Sequence, residues 1–454
     1  MDSQVYLDTP IFYESDRISF FIPKEANCQY LKVPDVQFLK KEEITGRLLA
    51  ALNSPLNTPS LQQLLENHYV PGKPVIILVD DHTRPNIHTR ALLPPLATEL
   101  SRCGVKEGDI GLVIATGTHA PPAPEQIRER VLGELYDDWK DRLWVHDCDD
   151  LENHEQLGFS PSKTPILIDK RVLSSSLIIP LSDSEYHYFA GIAGSIKLFM
   201  PGVSARQTVR VNHSRIFDLE TGFKTDCCMG NIDGNACIQD IRDIVRILQE
   251  NHVVFVIDAI MHKGKFINIF AGEPIAIQEN AISALASFRN INIREKADLV
   301  IVGKPSVNLY QGGKGFNAAS HAVKPGGHVV LLAGCPDGIG PVDYLETMEA
   351  VKNHSHKEAM QWIITNKCSE TTFEIGIQNA VDLYRILQLT GEGHVHLYSE
   401  LDQKLLKETF HIESLDTTKP PAEALRFFVR EFLFAHPNAV IHVFEDFNIL
   451  AIPE

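Results

Sequence analysis

The run Pro74-Val75-Ile76-Ile77-Leu78-Val79-Asp80-Asp81 is apolar from Val75 to Val79 and then stops on two carboxylates. A short apolar stretch bounded by turn signals reads as a buried strand. The pattern recurs: a helix over 91–103 leads into a second apolar run over 109–116, which ends at Gly117-Thr118-His119. Both polar clusters follow strand carboxyl ends, where open α/β sheets place their ligands. Further strands are expected over 165–168, 177–181 and 253–257, with a helix over 238–249. A long helix over 273–289 has the reach to bridge two lobes, and a second α/β series begins with strands over 297–303 and 327–334. Alternating strands and helices define the α/β class.

A chain of 454 residues exceeds the size at which single cores stop growing, so two α/β lobes are expected, with the active site in the cleft between them. The expected division is an amino-terminal domain over 1–280 and a carboxy-terminal domain over 281–430. The strands over 440–444 and 449–452, within 431–454, either stay with the second lobe or return to the first. The formal net charge of −17 and the lack of any Lys/Arg-rich block argue against a nucleic-acid partner. No apolar run reaches membrane-spanning length, and the start, Met1-Asp2-Ser3-Gln4-Val5, lacks the layout of a signal peptide. A soluble, cytoplasmic protein is the expectation. Its cysteines, at 28, 103, 148, 227, 228, 237, 335 and 368, show no zinc-site spacing and read as reduced thiols.

Four clusters carry candidate chemistry. Asp80-Asp81-His82-Thr83-Arg84-Pro85 places two carboxylates and a guanidinium suited to a carboxylate or phosphate in one strand-end loop. His119 ends the next strand, beside Arg84 if the two strands pair. The third cluster is the run from His187 to His213, with Lys197 ten residues after the first histidine and sixteen before the second. Gly191, Gly194 and Gly202 would allow close backbone approach to a bulky group. The Lys197 amine suits a phosphate counter-ion, a Schiff base or a covalent cofactor anchor, and His213 suits a metal. The fourth cluster, Asn308-Leu309-Tyr310-Gln311-Gly312-Gly313-Lys314-Gly315, lacks the P-loop order but offers Tyr310, Gln311 and Lys314 to an anionic substrate. His82, His88 and His321 read either as the lining of a polar pocket or as structural or surface residues.

Taken together, Asp81-His82-Thr83-Arg84-Pro85, Gly117-Thr118-His119, the His187–Lys197–His213 series and Tyr310-Gln311-x-x-Lys314 resemble the nickel-dependent lactate racemase family, in order and over most of the chain. One local departure is the bulky Ile196 before Lys197, where a smaller or polar residue is expected. The resemblance implies a racemase or epimerase of a small 2-hydroxy acid: lactate, or a larger hydroxy acid or sugar acid. It implies a nickel pincer nucleotide tethered covalently at Lys197, nickel bound by His213, and His119 and His187 as the two catalytic bases. One histidine would remove the hydroxyl proton while hydride passes to the cofactor, leaving a 2-keto acid that rotates and is reduced on its other face. Arg84, Tyr310, Gln311 and Lys314 would hold the substrate, with Asp81 orienting Arg84 or a catalytic histidine. Enzymes of cofactor synthesis would be needed for maturation, and without them an empty apo form is expected.

Two rival readings accompany this one. A zinc hydrolase would use Asp80, Asp81, His119 and His187 as ligands but leaves Lys197 unexplained. A non-catalytic binding protein for a nucleotide or organic acid would use the basic groups only to grip an anion.

Overall fold

The computed structural model describes residues 6–13 and 16–454, which divide into two compact units. The central unit is Val36–Ile216 with Asp226–Ala286; the terminal unit gathers the described residues of Met1–Asp35 with Phe217–Thr225 and Ser287–Glu454. Each is built on a six-stranded, mainly parallel sheet, which is the α/β architecture expected from the alternating pattern.

In the central unit the strand order is Lys265–Gly272, Val256–His262, Leu177–Ser184, Val75–Asp80, Ile110–Ala115 and Leu143–Val145, with only Lys265–Gly272 antiparallel. Residues 75–79 are all 1% exposed or less, because helices and loops cover both faces of a parallel sheet. Val75, Ile77 and Val79 pack with Leu92, Leu93, Leu96 and Leu100 of the helix Ile87–Arg102. The helix Ala236–Gln249 buries Ile238, Ile241, Ile244, Val245 and Leu248, an apolar stripe at helical spacing. The strand expected over 165–168 exists as Pro165–Asp169, but it pairs antiparallel with His154–Phe159 in a separate ribbon.

The terminal sheet runs Glu413–Ser414, Val395–Tyr398, Val323–Leu332, Ala297–Gly303, Val440–Phe444, Asn27–Leu31, all parallel. Two differences from the expected domain division follow from this pairing. Asn27–Leu31 hydrogen-bonds along Val440–Phe444, so the first residues of the chain join its last strands rather than the domain expected over 1–280. Ile11, Phe20 and Ile22 of the preceding hairpin enter the same core as Leu299, Ile301, Ile441 and Val443. The strands within 431–454 likewise stay in this unit, Leu450–Pro453 pairing with Asn290–Ile293, and the division falls at Ser287 rather than near 280.

One buried side chain ties the carboxyl ends of the two middle strands of the central sheet. His88, 1% exposed in the first turn of Ile87–Arg102, has Nε2 3.2 Å from Asp80 Oδ2 and Nδ1 3.2 Å from Asp183 Oδ1. Burial and the positive end of the helix dipole both oppose a charged imidazole there. The Asp183 charge, and the hydrogen bond and charge of Asp80, outweigh burial and lift its pKa to about 8. A neutral ring has one N–H and can serve only one carboxylate, whereas the protonated ring serves both.

A histidine with a native pKa above its unfolded value near 6.5 stabilises the fold fully below that value, and the contribution is lost as pH rises through about 8. A shift of this size is worth about 2 kcal/mol. The urea midpoint should therefore decline between pH 6.5 and 8.5, and His88→Gln should flatten that decline while lowering stability throughout. An unchanged slope in the variant would assign the pH dependence to other groups.

Candidate active site

Three adjacent strands of the central sheet end in loops that carry four of the nine candidate residues. Val75–Asp80 leads into Asp81 and Arg84, Ile110–Ala115 into His119, and Leu177–Ser184 into Glu185 and His187. The Asp81 loop is fixed from within. Asn86, at a positive φ of 54°, donates through its side-chain amide to Asp81 O at 2.7 Å and Arg84 O at 3.0 Å. The Arg84 guanidinium lies 3.8 Å from Glu185. Burial works against its charge, but Glu185, Asp80, Asp81 and Asp183 outweigh this and raise its pKa further.

His119 Nδ1–H donates to Asp81 Oδ2 at 2.6 Å, and Asp81 Oδ1 accepts from the amide and hydroxyl of Thr83 at 3.0 and 2.6 Å. Burial pushes the Asp81 carboxyl up, but these hydrogen bonds and the His119 charge hold it below the usual carboxylate range. Asp81 is 4% exposed, whereas the His119 side chain is 40% exposed, so a shielded anion supports a reachable imidazole. With the proton of neutral His119 on Nδ1, its basic lone pair lies on Nε2.

His187, Lys197 and His213 surround the buried ring of Phe189. The His187 ring is 4.4 Å from it and the His213 ring 5.2 Å, both edge-on, and Lys197 Nζ stands 5.6 Å over its centre. His187 Nδ1 accepts from the Ala190 amide at 3.2 Å, which puts the proton of the neutral ring on Nε2, opposite to His119. Lys197 lies in the short helix Ser195–Leu198, and burial lowers its pKa to about 8. About a tenth of its amine is thus uncharged and nucleophilic near neutrality, far more than for an ordinary lysine.

The lysine segment is held by close backbone packing. A Cβ on Gly194, at a φ of +83°, would stand 2.5 Å from Asp183 O, and one on Gly191 2.1 Å from Asn231 O. The room these glycines make is filled by the protein's own chain, not left for a bulky group. Ser195 N donates to Ser182 Oγ, and Gly117 N to Gly202 O, so both neighbouring strand ends are stitched to this segment.

His213 is buried on the helix Arg206–Ser214. Asn212 Nδ2 donates to Asp240 Oδ2 at 2.8 Å, which leaves Asn212 Oδ1 to accept from His213 Nδ1–H at 2.9 Å. Burial, followed by the Lys197 charge, lowers the His213 pKa to about 3. The ring is therefore neutral with its lone pair on Nε2, the state a metal ligand requires.

The zinc set considered from sequence is divided by these contacts, since Asp81 pairs with His119 while Asp80 turns to His88. Among the described residues those four do not form one metal-ligating group. Tyr310, Gln311 and Lys314 stand on the helix Leu309–Ser320 of the terminal unit, capped by Asn308, which accepts from Gln311 N at 2.9 Å. Tyr310 O accepts from Asn379 Nδ2 at 2.6 Å. His321 is half-buried at the end of that helix, and burial lowers its pKa to about 3. Sequence reasoning passed over Asp240, the packing role of Phe189 and the bridging role of His88, none of which is marked by spacing.

Residues 13–223 match the lactate racemase N-terminal domain and residues 292–424 the lactate racemase C-terminal domain. The chain is 27% identical over 367 residues to a lactate racemase of Thermoanaerobacterium thermosaccharolyticum, covering 79% of this chain and 81% of that protein. It is 26% identical over 295 residues to one of Lactiplantibacillus plantarum, covering 64% and 66% respectively. The structure of the lactate racemase apoprotein from T. thermosaccharolyticum superimposes with a TM-score of 0.81 at 23% identity, over 99% of this chain and 100% of that one. A protein of Thermotoga maritima matches at 0.63 and 14%, over 93% and 100%. With both domain models matched in order along one α/β chain, this protein belongs to the lactate racemase family.

Proposed function

We propose that this protein is an isomerase that interconverts the enantiomers of a 2-hydroxy acid, lactate or a larger relative, using a nickel pincer nucleotide tethered at Lys197. The observation that carries this reading is the opposite polarity of two histidines that follow strand ends of one sheet, together with a lysine and a neutral, metal-competent histidine packed against one phenylalanine ring. His119 presents a lone pair on Nε2, and His187 an N–H. Racemisation needs hydrogen removed from one face of a carbon and returned on the other, with the hydroxyl proton taken and given back in each orientation, which one base alone does not provide.

The donor set fits the implied group. Lys197 offers a partly uncharged amine, and Asp240 and Asn212 hold His213 as a neutral ligand. When bound, the nucleotide would supply nickel and an electrophilic ring able to take hydride from the substrate carbon and return it. The protein's own groups do the rest. Arg84 grips the carboxylate, with Tyr310, Gln311 and Lys314 proposed as further substrate-binding groups. His119 takes the hydroxyl proton at Nε2 while Asp81 stabilises the resulting imidazolium. His187, protonated at Nδ1 at the expense of its hydrogen bond from the Ala190 amide, returns its Nε2 proton to the substrate oxygen when the other face is served, and the two exchange roles in the reverse direction. A histidine pair used in this way requires one ring neutral and one charged, which gives a bell-shaped pH profile.

Protein made together with the cofactor-synthesis enzymes should carry a nucleotide-sized mass adduct and about one nickel per chain, the stoichiometry of a single ligand site. The adduct should vanish in Lys197→Ala. It should persist in His119→Ala and His187→Ala, which lose racemisation of L- and D-lactate. Zinc without an adduct would overturn the assignment. With 2-deuterated substrate, internal return of hydride predicts retention of deuterium at C2, whereas washout into solvent would require a different mechanism.

Asp81→Asn should lower kcat by about 10²–10⁴-fold, the range for loss of one acid–base element, with the adduct retained. An activity within a few-fold of wild type would remove Asp81 from the proton-transfer pair.

A further inference from the structure

Three ligand-type side chains of the terminal unit, far apart in sequence, meet in a place that the proposed racemisation does not use. His356 opens the helix His356–Lys367, Glu392 stands between Gly391 and Gly393, and His411 ends the helix Gln403–Phe410 in a left-handed conformation with φ 55°. Their ligand atoms all lie within 4.8 Å of one another. His356 Nε2 is 2.9 Å from Glu392 Oε2, and His411 Nδ1 is 3.6 Å from Glu392 Oε1. The histidine side chains are each 15% exposed while Glu392 is 72% exposed, so the cluster is walled by protein yet open to solvent on the carboxylate side.

Hydrogen bonding leaves this group under-served. The 3.6 Å contact is too long for a hydrogen bond, and His411 Nε2 is buried with no partner. The Tyr384 hydroxyl is also buried without a partner, and its ring lies 6.2 Å from His356 and 6.0 Å from His411.

A metal ion accounts for the spacing. Two imidazoles bound tetrahedrally at zinc–nitrogen lengths place their ring centres roughly 5.2 Å apart and neighbouring ligand atoms roughly 3.3 Å apart. Here the His356 and His411 ring centres are 5.3 Å apart, and the two nitrogen–oxygen distances, 2.9 and 3.6 Å, lie on either side of the second value. We propose that His356, Glu392 and His411 form a binding site for a divalent transition-metal ion, with zinc the ion that two imidazoles and one carboxylate suit best. Three protein ligands leave a fourth position for water, and the ion clamps the ends of two helices to the Gly391–Gly393 turn.

The test uses the full chain freed of metal with a chelator and titrated calorimetrically with zinc chloride alone. Asparagine tolerates the left-handed backbone of His411, and Glu392 is exposed, so His411→Asn and Glu392→Gln should preserve the fold, as checked by far-UV circular dichroism. Wild-type protein should bind one zinc that both variants bind more than about 100-fold more weakly, exceeding the usual cost of an outer-shell change. Zinc should also raise the melting temperature of the wild type but of neither variant. Zinc held at His213 would add an equal background in all three proteins. If His411→Asn does not fold, Glu392→Gln alone decides. Equal zinc affinity in wild type and Glu392→Gln, or no binding by the wild type, would overturn the proposal.

Discussion

Two aspartates at the ends of neighbouring parallel strands, Asp80 and Asp183, would repel each other and pull apart the loops that follow them. His88 removes that conflict by standing between them with both ring nitrogens engaged. The cost of burying a cation at a helix amino terminus is offset because two anions share it. A third carboxyl, Asp258, lies close by, and burial raises its pKa as it does that of Asp183. Against the hydrogen bond from Ser182, burial brings it to about 7, so Asp258 carries little of the local negative charge below that pH. Ser182 Oγ donates to Asp258 Oδ1 and accepts from Ser195 N. The charge balance beneath the sheet edge thus extends through one hydroxyl to the segment that holds Lys197.

On either side of this bridge the chain leaves the sheet with residues of the candidate site. Asp81 and Arg84 follow Asp80 directly, and Glu185 and His187 follow Asp183. The positions of Arg84 and Glu185, 3.8 Å apart, therefore depend on the same imidazole that keeps the strand ends together. Phe189 provides the apolar counterpart: its ring lies among His187, Lys197 and His213, where burial lowers the pKa of Lys197 and, with the Lys197 charge adding to it, that of His213. A lysine beside water would remain a fully charged ammonium and a poor nucleophile.

The strands were legible in the sequence because burial on both faces leaves continuous apolar runs. Residues 297–303 and 440–444 form strands with the bounds that their apolar runs suggest. Polar residues just past such runs marked Asp81, Arg84 and His119 for the same reason, since position after a strand end is local information. What the sequence concealed is non-local. Asn27–Leu31 is a short edge strand with mixed polarity, and its partner lies more than four hundred residues later. The exchange of hydrogen bonds among Asp240, Asn212 and His213 likewise joins two helices whose spacing carries no signature. The three glycines near Lys197 showed that something approaches closely, but only the fold identifies Asn231, Asp183 and Leu198 as the neighbours.

Three histidines of the site share one side chain and differ in what meets Nδ1. At His119 an ionised carboxylate accepts, so Nδ1 keeps its proton and the lone pair of the neutral ring lies on Nε2. At His187 a backbone amide donates, so Nδ1 must be the acceptor and the neutral ring shows an N–H at Nε2. At His213 a side-chain amide oxygen accepts, its direction fixed by Asp240, and the surroundings are too dry for a positive ring. A carboxylate thus favours a proton acceptor, a backbone N–H a donor, and a neutral amide in an apolar setting a metal ligand. Residue type alone is silent on this division of labour. It is written into the partners, each of which the backbone delivers from a different loop or helix.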